Sequence, residues 1–245
     1  MANFNFFMLY SIIIPVYNEE KRINKNIDEI FDFFYKQKVE TEIIFVNDGS
    51  IDRTEDILRE YQKKYKFKII SYKKNRGKGY AVKQGILSSK GDWAVFFDID
   101  LATPLEEFNH FLSIKKQDVD HIIIGSRRLK ESNIKKSESG IRVFLGSAFT
   151  KISNLLVPNV TDFTCGFKCF SKEAKQIIFP LAKIDRWGFD TELLYIAKLK
   201  NISIRQMAVK WRHDDDSRVN VIKAVFSSLH EIFQMKINQM KGFYK

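Results

Sequence analysis

Short apolar runs and helix-period segments alternate along the first half of the chain. Ser11–Val16, Glu42–Asn47, Phe67–Tyr72, Trp93–Phe97 and His121–Gly125 read as strands. Several are apolar almost without interruption, the pattern of parallel strands buried on both faces. Between the first two, Ile23, Ile27, Ile30, Phe31 and Phe34 recur at helical spacing. Asp52 and Glu55 form a capping pair ahead of Ile57, Leu58 and Tyr61, and Ala81, Val82, Gly85 and Ile86 supply a third helix. Repeated β-α-β units predict an α/β fold, an open and mostly parallel sheet flanked by helices.

Beyond Gly125 the pattern changes. A basic segment, Arg127 to Lys151, runs into an apolar helical stretch, Val143–Val157. A strand at Cys165–Phe170, a helix at Phe189–Leu199 and a strand at Ile202–Trp211 follow. Val219–Met240 reads as a long amphipathic C-terminal helix, with Ile222, Val225, Phe226, Leu229, Ile232 and Phe233 on one face. No repeat or linker interrupts the chain. One domain over 1–245 is the economical reading, with halves meeting at 125/126.

Charge changes the picture more than size does. The 245 residues hold 41 Lys and Arg against 30 Asp and Glu, a formal +11, which points to anionic partners. The basic residues concentrate after the strand-end motifs and no nucleic-acid signature occurs, so no specific nucleic acid is expected. Two cysteines, Cys165 and Cys169, are too few for a disulfide framework and read as reduced, packed thiols. No stretch approaches the roughly 18–20 apolar residues of a membrane span. Phe6–Ile14 reads as the lead-in and body of a buried first strand, and a membrane role would place the protein on the bilayer surface.

Open parallel sheets bind ligands at the carboxyl ends of their strands. Those ends are Pro15-Val16-Tyr17-Asn18-Glu19, Asn47-Asp48-Gly49-Ser50 and Asp98-Ile99-Asp100. Alternate residues of a strand point the same way, so Asp98 and Asp100 could face one divalent cation and its phosphates. Thr103, Pro104 and Glu106 follow as an N-cap, first helical residue and capping-box partner. Asn47–Ser50 fits a turn and helix entry, or a site where Asp48 accepts hydrogen bonds from a base or ribose. Arg76-Gly77-Lys78-Gly79 could approach a phosphate but matches neither a Walker loop nor a dinucleotide fingerprint.

Taken in order, Ile14–Glu20, Val46–Thr54, Asn75–Gly79 and Asp98–Asp100 resemble the signature of family 2 glycosyltransferases of the GT-A fold. Gly125-Ser126-Arg127, Thr161–Phe170 and Arg186–Leu194 are similar to the dolichyl-phosphate β-glucosyltransferases within it, and match their mannosyltransferase cousins less well. The resemblance runs from about Ser11 to the C-terminus. Two departures stand out. Met1–Tyr10 shows no counterpart of the N-terminal membrane helix of the eukaryotic enzymes, and Ala102 stands where mannosyltransferase relatives carry a polar metal ligand.

The resemblance implies inverting transfer of glucose from UDP-glucose to a polyprenyl phosphate, with 1–125 binding the nucleotide-sugar and 126–245 the acceptor. Pro15, Tyr17, Glu19, Val46, Asp48, Lys78 and Ile99 would lie on the donor, and Asp98 and Asp100 would hold Mg²⁺ or Mn²⁺ against its diphosphate. Arg127 and Arg142 would grip the acceptor phosphate, and Arg218 would close over the diphosphate. Asp190 and Glu192 either bind sugar hydroxyls or start a helix; Trp187 either underlies the sugar or fills the core. The Val143–Val157 stretch and the last helix, with Lys223, Lys236 and Lys241, either rest on the cytoplasmic face of a membrane or pack their apolar faces into the core, with a membrane-anchored subunit or a homo-oligomer left open. GDP-mannose or another hexose donor is the nearest alternative activity, and a catalytically silent nucleotide-binding membrane scaffold the alternative outside enzymes.

Overall fold

In the computed structural model, described for residues 8–115, 121–136, 140–212 and 221–245, a seven-stranded sheet forms the centre. Side chains at 135, 136, 141–144, 221–226, 228 and 229 lie outside that description. The elements run β1 (Leu9–Val16), α1 (Glu20–Tyr35), β2 (Glu40–Asn47), α2 (Thr54–Tyr61), β3 (Lys68–Ser71), α3 (Lys78–Leu87), β4 (Trp93–Phe97), α4 (Glu107–Lys115) and β5 (Ile122–Ser126). The second half adds β6 (Asn133–Lys136), α5 (Gly140–Ser153), β7 (Phe167–Ser171), α6 (Lys172–Leu181), α7 (Phe189–Leu199), β8 (Ile204–Ala208), β9 (Lys210–Arg212) and α8 (Val221–Met240).

The sheet order is β3-β2-β1-β4-β7-β5-β8, and β6 pairs with β9 in a two-stranded annex. All main-sheet pairings are parallel except those of β7, which runs antiparallel between β4 and β5. The mostly parallel open sheet predicted by the apolar runs is therefore present. The period of two in each strand divides the core. Ile13, Ala94 and Phe96 pack on one face with residues of α3, α6 and α7. Ile12, Ile14, Val95 and Phe97 pack on the other with α1, α2 and α4.

Several sequence expectations need correction. Ile202–Trp211 is two strands, because after Val209 the chain leaves the main sheet and β9 pairs with β6. The Thr103 capping box does not form: α4 begins only at Glu107, and the buried Thr103 hydroxyl lies 3.8 Å from Cys165 Sγ instead. Glu55 does not reach back to close a box with Asp52; it accepts from Asn47 and Ser71, while Asp52 accepts from Thr54 N. Helix α6 has no predicted counterpart; Ser171 Oγ caps it by accepting from Ala174 N, and Pro180 sits in its last turn.

In α8 the buried stripe is Ile232, Met235 and Asn238, whereas Phe233, assigned to the same face as Ile232, is 65% exposed. The side chains of Ile222, Val225, Phe226 and Leu229 are outside the described set, as is that of Lys223. In the Val143–Val157 stretch, Phe149, Leu156 and Val157 are buried in the core and Leu155 is exposed. None of the described helices is long and apolar enough to cross a membrane.

Candidate active site

Four parallel strands deliver their carboxyl ends to one edge of the sheet. β1 ends in Tyr17–Glu19, β2 in Asp48–Ser50, β4 in Asp98–Asp100 and β5 in Ser126–Arg127. Because β7 is antiparallel, its amino end, Cys165–Gly166, reaches the same edge, with Phe167 opposite Phe97. Asp48, Asp98, Asp100 and Arg127 thus share one rim.

The first two loops lock together. Asn18 adopts a left-handed backbone (φ 55°), which asparagine tolerates better than most residues. Its Oδ1 accepts from Ile51 N at 2.9 Å, and its N donates to Ser50 Oγ at 2.9 Å. Glu19 N donates to Thr54 Oγ1, and the Glu19 carboxylate accepts from Arg22 at 2.8 Å. Tyr17, 43% exposed, stands on the rim and Pro15 is half-buried beneath it. Val46 and Ile99 turn their side chains into the core, so any ligand contact of theirs belongs to the backbone. Asn26 Nδ2 donates to the Ile99 carbonyl at 2.8 Å and fixes the acidic loop from α1.

Asp48 organises the glycine-rich loop. Its buried carboxylate accepts from Asn75 Nδ2 (2.7 Å), Arg76 N (2.8 Å) and Gly77 N (2.8 Å). Gly77, at φ 112°, lies against the Asp185 carbonyl, leaving no space for a side chain. Arg76 pairs with Asp185 at 3.0 Å, and Tyr80 N donates to the Asp185 carbonyl. The segment around half-exposed Trp187 is therefore seated on the glycine loop, and Glu231 of α8 fastens it by accepting from Gly188 N at 2.6 Å.

Charges alternate at the centre of the rim. Lys78 Nζ lies 2.5 Å from Asp98 Oδ1. Burial would lower the Lys78 pKa, but Asp98, Asp190 and Asp100 more than offset it and hold the amine charged. Asp100 is pushed up by burial and by the neighbouring charge of Asp98, against the Ala102 N–H and Lys78. Asp190 is buried and pushed up by desolvation, opposed by Lys168 and Lys78. Lys168 Nζ sits 2.7 Å from Asp190 Oδ1 as an ion pair. Glu192, in contrast, is structural: fully buried, it accepts from Lys183 N, Ile184 N and Tyr244 Oη.

Arg127 is tightly held. Its Nε and Nη2 donate to the two carboxylate oxygens of Asp162 at 2.7 and 3.0 Å, and Nη2 also donates to Thr164 Oγ1. Arg142 lies on α5 with its side chain outside the described set, and Arg218 falls outside the described residues altogether.

Among the described residues no group of three or more His, Cys, Asp or Glu side chains converges as a metal cage. A cation here would be held by Asp98 and Asp100 and completed by ligand oxygens, the usual arrangement for Mg²⁺ with phosphates. The residues fit such an ion. The two carboxylates repel one another, and a dication would relieve that repulsion as Lys78 does now.

Asn75, Asp162, Gly166 and Lys168 lie within the motifs that carry the resemblance but were given no individual role there, and Asn26 was not singled out at all; the structure places all five around the candidate site. A signal existed for Lys168: a lysine inside an apolar strand, Phe167-Lys168-Cys169-Phe170, must find a buried partner. For Asp162 the only signal was its place in the Thr161–Phe170 motif, since an aspartate in a polar turn is ordinary.

Comparison with known proteins shows the family and the fold. Residues 11–178 match the model of glycosyl transferase family 2. The dolichyl-phosphate beta-glucosyltransferase of Dictyostelium discoideum is 34% identical over 96% of this chain and 76% of its own length. The human enzyme of that name is 35% identical over 85% of this chain and 69% of its own. Among solved structures, glucosyl-3-phosphoglycerate synthase from Mycobacterium tuberculosis, in complex with Mn²⁺, UDP and glucosyl-3-phosphoglycerate, superposes with TM-score 0.70. It is 19% identical and aligned over 93% of this chain and 80% of that one, a likeness of fold.

Proposed function

Since the chain belongs to glycosyl transferase family 2, and is a glycosyltransferase of the GT-A fold, we propose that it transfers glucose from UDP-glucose to a polyprenyl phosphate, inverting the anomeric centre. The observation that carries this reading is identity of 34% across 96% of the chain with an enzyme named for glucosyl transfer to dolichyl phosphate. The interlocked donor loops and the acidic pair at the end of β4 support it.

In this reading the Tyr17–Glu19 and Asp48–Ser50 loops receive the nucleotide, and the Asn75–Gly79 loop lies along the diphosphate with Lys78 as its cation. A divalent ion held by Asp98 and Asp100 would offset charge building on the departing nucleoside diphosphate. Asp190 and Trp187 face the sugar. The acceptor needs no general base, because a phosphate monoester has a second pKa of about 6 and is already anionic near neutrality. What it needs is alignment against the negative donor. Arg127, immobilised by Asp162 and Thr164, sets a fixed charge for that phosphate, and Arg142 and Arg218 are assigned to the same task.

With a polyprenyl acceptor the reading assigns the protein to a membrane surface, peripherally and on the cytoplasmic face. The test is transfer of radiolabelled glucose from UDP-glucose into an organic-extractable polyprenyl phosphate, with GDP-mannose compared in parallel. Asp100→Ala is expected to abolish transfer. Full activity in that variant, or preference for GDP-mannose, would overturn the corresponding part of the reading.

A further inference from the structure

We propose that Lys168 is a positioning residue for the donor site, holding Asp98 in place from beneath the sheet edge. This inference rests on the reading of Asp98 and Asp100 as the diphosphate-cation pair.

Lys168 is fully buried, the second residue of β7, which among the described strands is the one that runs antiparallel in the main sheet. The register places it between Phe96 of β4 and Ile124 of β5. A buried ammonium is retained only where it is paired and hydrogen-bonded. Lys168 meets both conditions with groups of the site. Its Nζ lies 2.7 Å from Asp190 Oδ1 and donates to the Cys165 carbonyl at 2.7 Å.

Those two contacts have different consequences. The first joins β7 to the start of α7, where Asp190 faces the site. The second pins the Cys165–Gly166 turn, and that turn is the floor on which Asp98 rests: a Cβ at Gly166 would fall 2.6 Å from Asp98 Cγ. Lys168 also shares the Phe96 ring with Lys78, their Nζ atoms 5.3 and 5.9 Å from its centroid. One ammonium grips Asp98 from the side and the other fixes the turn behind it. If Lys168 served packing alone, a nonpolar side chain of like length would do as well, without the cost of burying a charge. Its two partners instead set the distance between the Asp190 and Asp98 carboxylates, hence the place of the sugar relative to the diphosphate.

The test uses UDP, which lacks the sugar, so that loss of any contact between Asp190 and a hydroxyl does not register. Mn²⁺-dependent UDP binding is measured by calorimetry for the wild type, Lys168→Met, Lys168→Arg and the double variant Lys168→Met/Asp190→Asn. The double variant leaves no unpaired buried charge and keeps the comparison available if Lys168→Met alone does not fold. Thermal unfolding is followed for each. Both Met-containing variants are expected to bind UDP with Mn²⁺ at least tenfold more weakly, with Lys168→Arg recovering part of the loss. A double variant that is folded and binds within twofold of wild type would overturn the inference, leaving Lys168 a packing residue. Wild type that binds UDP equally with and without Mn²⁺ would instead overturn the cation reading, and this inference with it.

Discussion

Gly166 and Asp98 occupy complementary space: the Asp98 carboxylate fills the position a side chain on residue 166 would take, with an ideal Cβ 2.6 Å from Asp98 Cγ. The glycine is required by this close approach, since its backbone is not among those with positive φ. Gly166→Ala is therefore expected to move Asp98 while the core stays packed. A misplacement near 1 Å costs about 100-fold in rate. Transfer should fall by that order, with a much smaller change in thermal stability. Undiminished transfer in a folded Gly166→Ala protein would show that the place of Asp98 does not matter to the reaction.

A divalent cation held by Asp98 would have to compete with Lys78 for the same oxygen, because Lys78 Nζ already lies 2.5 Å from Asp98 Oδ1. Lys78→Met should consequently have two opposite effects. Mn²⁺ alone should bind more tightly, as the carboxylate pair loses its internal counter-ion. The nucleotide-sugar should bind more weakly by about tenfold or more, since a charge-assisted hydrogen bond is lost. Paramagnetic resonance titration of Mn²⁺ and steady-state kinetics read the two effects separately. Weakening of both together would mean that Lys78 supports Asp98 rather than standing in for the ion.

Much of this site was legible in the sequence, and the reasons are physical. The β4 run ends abruptly in Asp98-Ile99-Asp100, so the strand rule alone put both carboxylates at the carboxyl edge of the sheet. The limits of α7 also match expectation, Phe189–Leu199, because its apolar spacing is unbroken. Three things were not legible. The direction of β7 depends on which strands it joins, and a five-residue strand carries no mark of its direction. Asp190 and Glu192 look alike as acids in a first helical turn, yet one faces Lys168 and the other caps Lys183 and Ile184. The Arg127–Asp162 pair spans 35 residues, a separation across which no local pattern holds information.

Glu192 tests how firmly the site is strapped to the end of the chain. Its carboxylate accepts two backbone N–H groups and the Tyr244 hydroxyl, all in the interior. Glu192→Ala would orphan three donors, each worth about 1–3 kcal/mol when left unsatisfied and buried. Water will reach some of them, so a loss of about 3 kcal/mol is expected in urea unfolding. Glu192→Gln keeps an acceptor and should lose much less. Equal losses for the two variants would point to charge rather than hydrogen bonding as the source.

Asp162 gives the pH dependence with the clearest sign. Burial alone would raise its pKa, but the charge and hydrogen bonds of Arg127, with Arg128 beside it, hold it well below the ordinary carboxylate range. A depressed folded-state pKa means that the unfolded chain binds the proton more readily. The contribution to stability is therefore complete above the unfolded value of about 3.9 and is lost as pH falls from there toward the folded value. Asp162→Asn removes this linkage and leaves the largely buried Arg127 without its counter-ion, at a cost of about 3 kcal/mol at pH 6. The gap between wild type and variant should then narrow as unfolding is measured at successively lower pH below about 4. The same variant frees the guanidinium to wander, so KM for the polyprenyl phosphate should rise more than KM for the nucleotide-sugar. Parallel stability curves at pH 6 and pH 3 would mean that Asp162 holds Arg127 by geometry alone, and an unchanged acceptor KM would remove Arg127 from the acceptor's path.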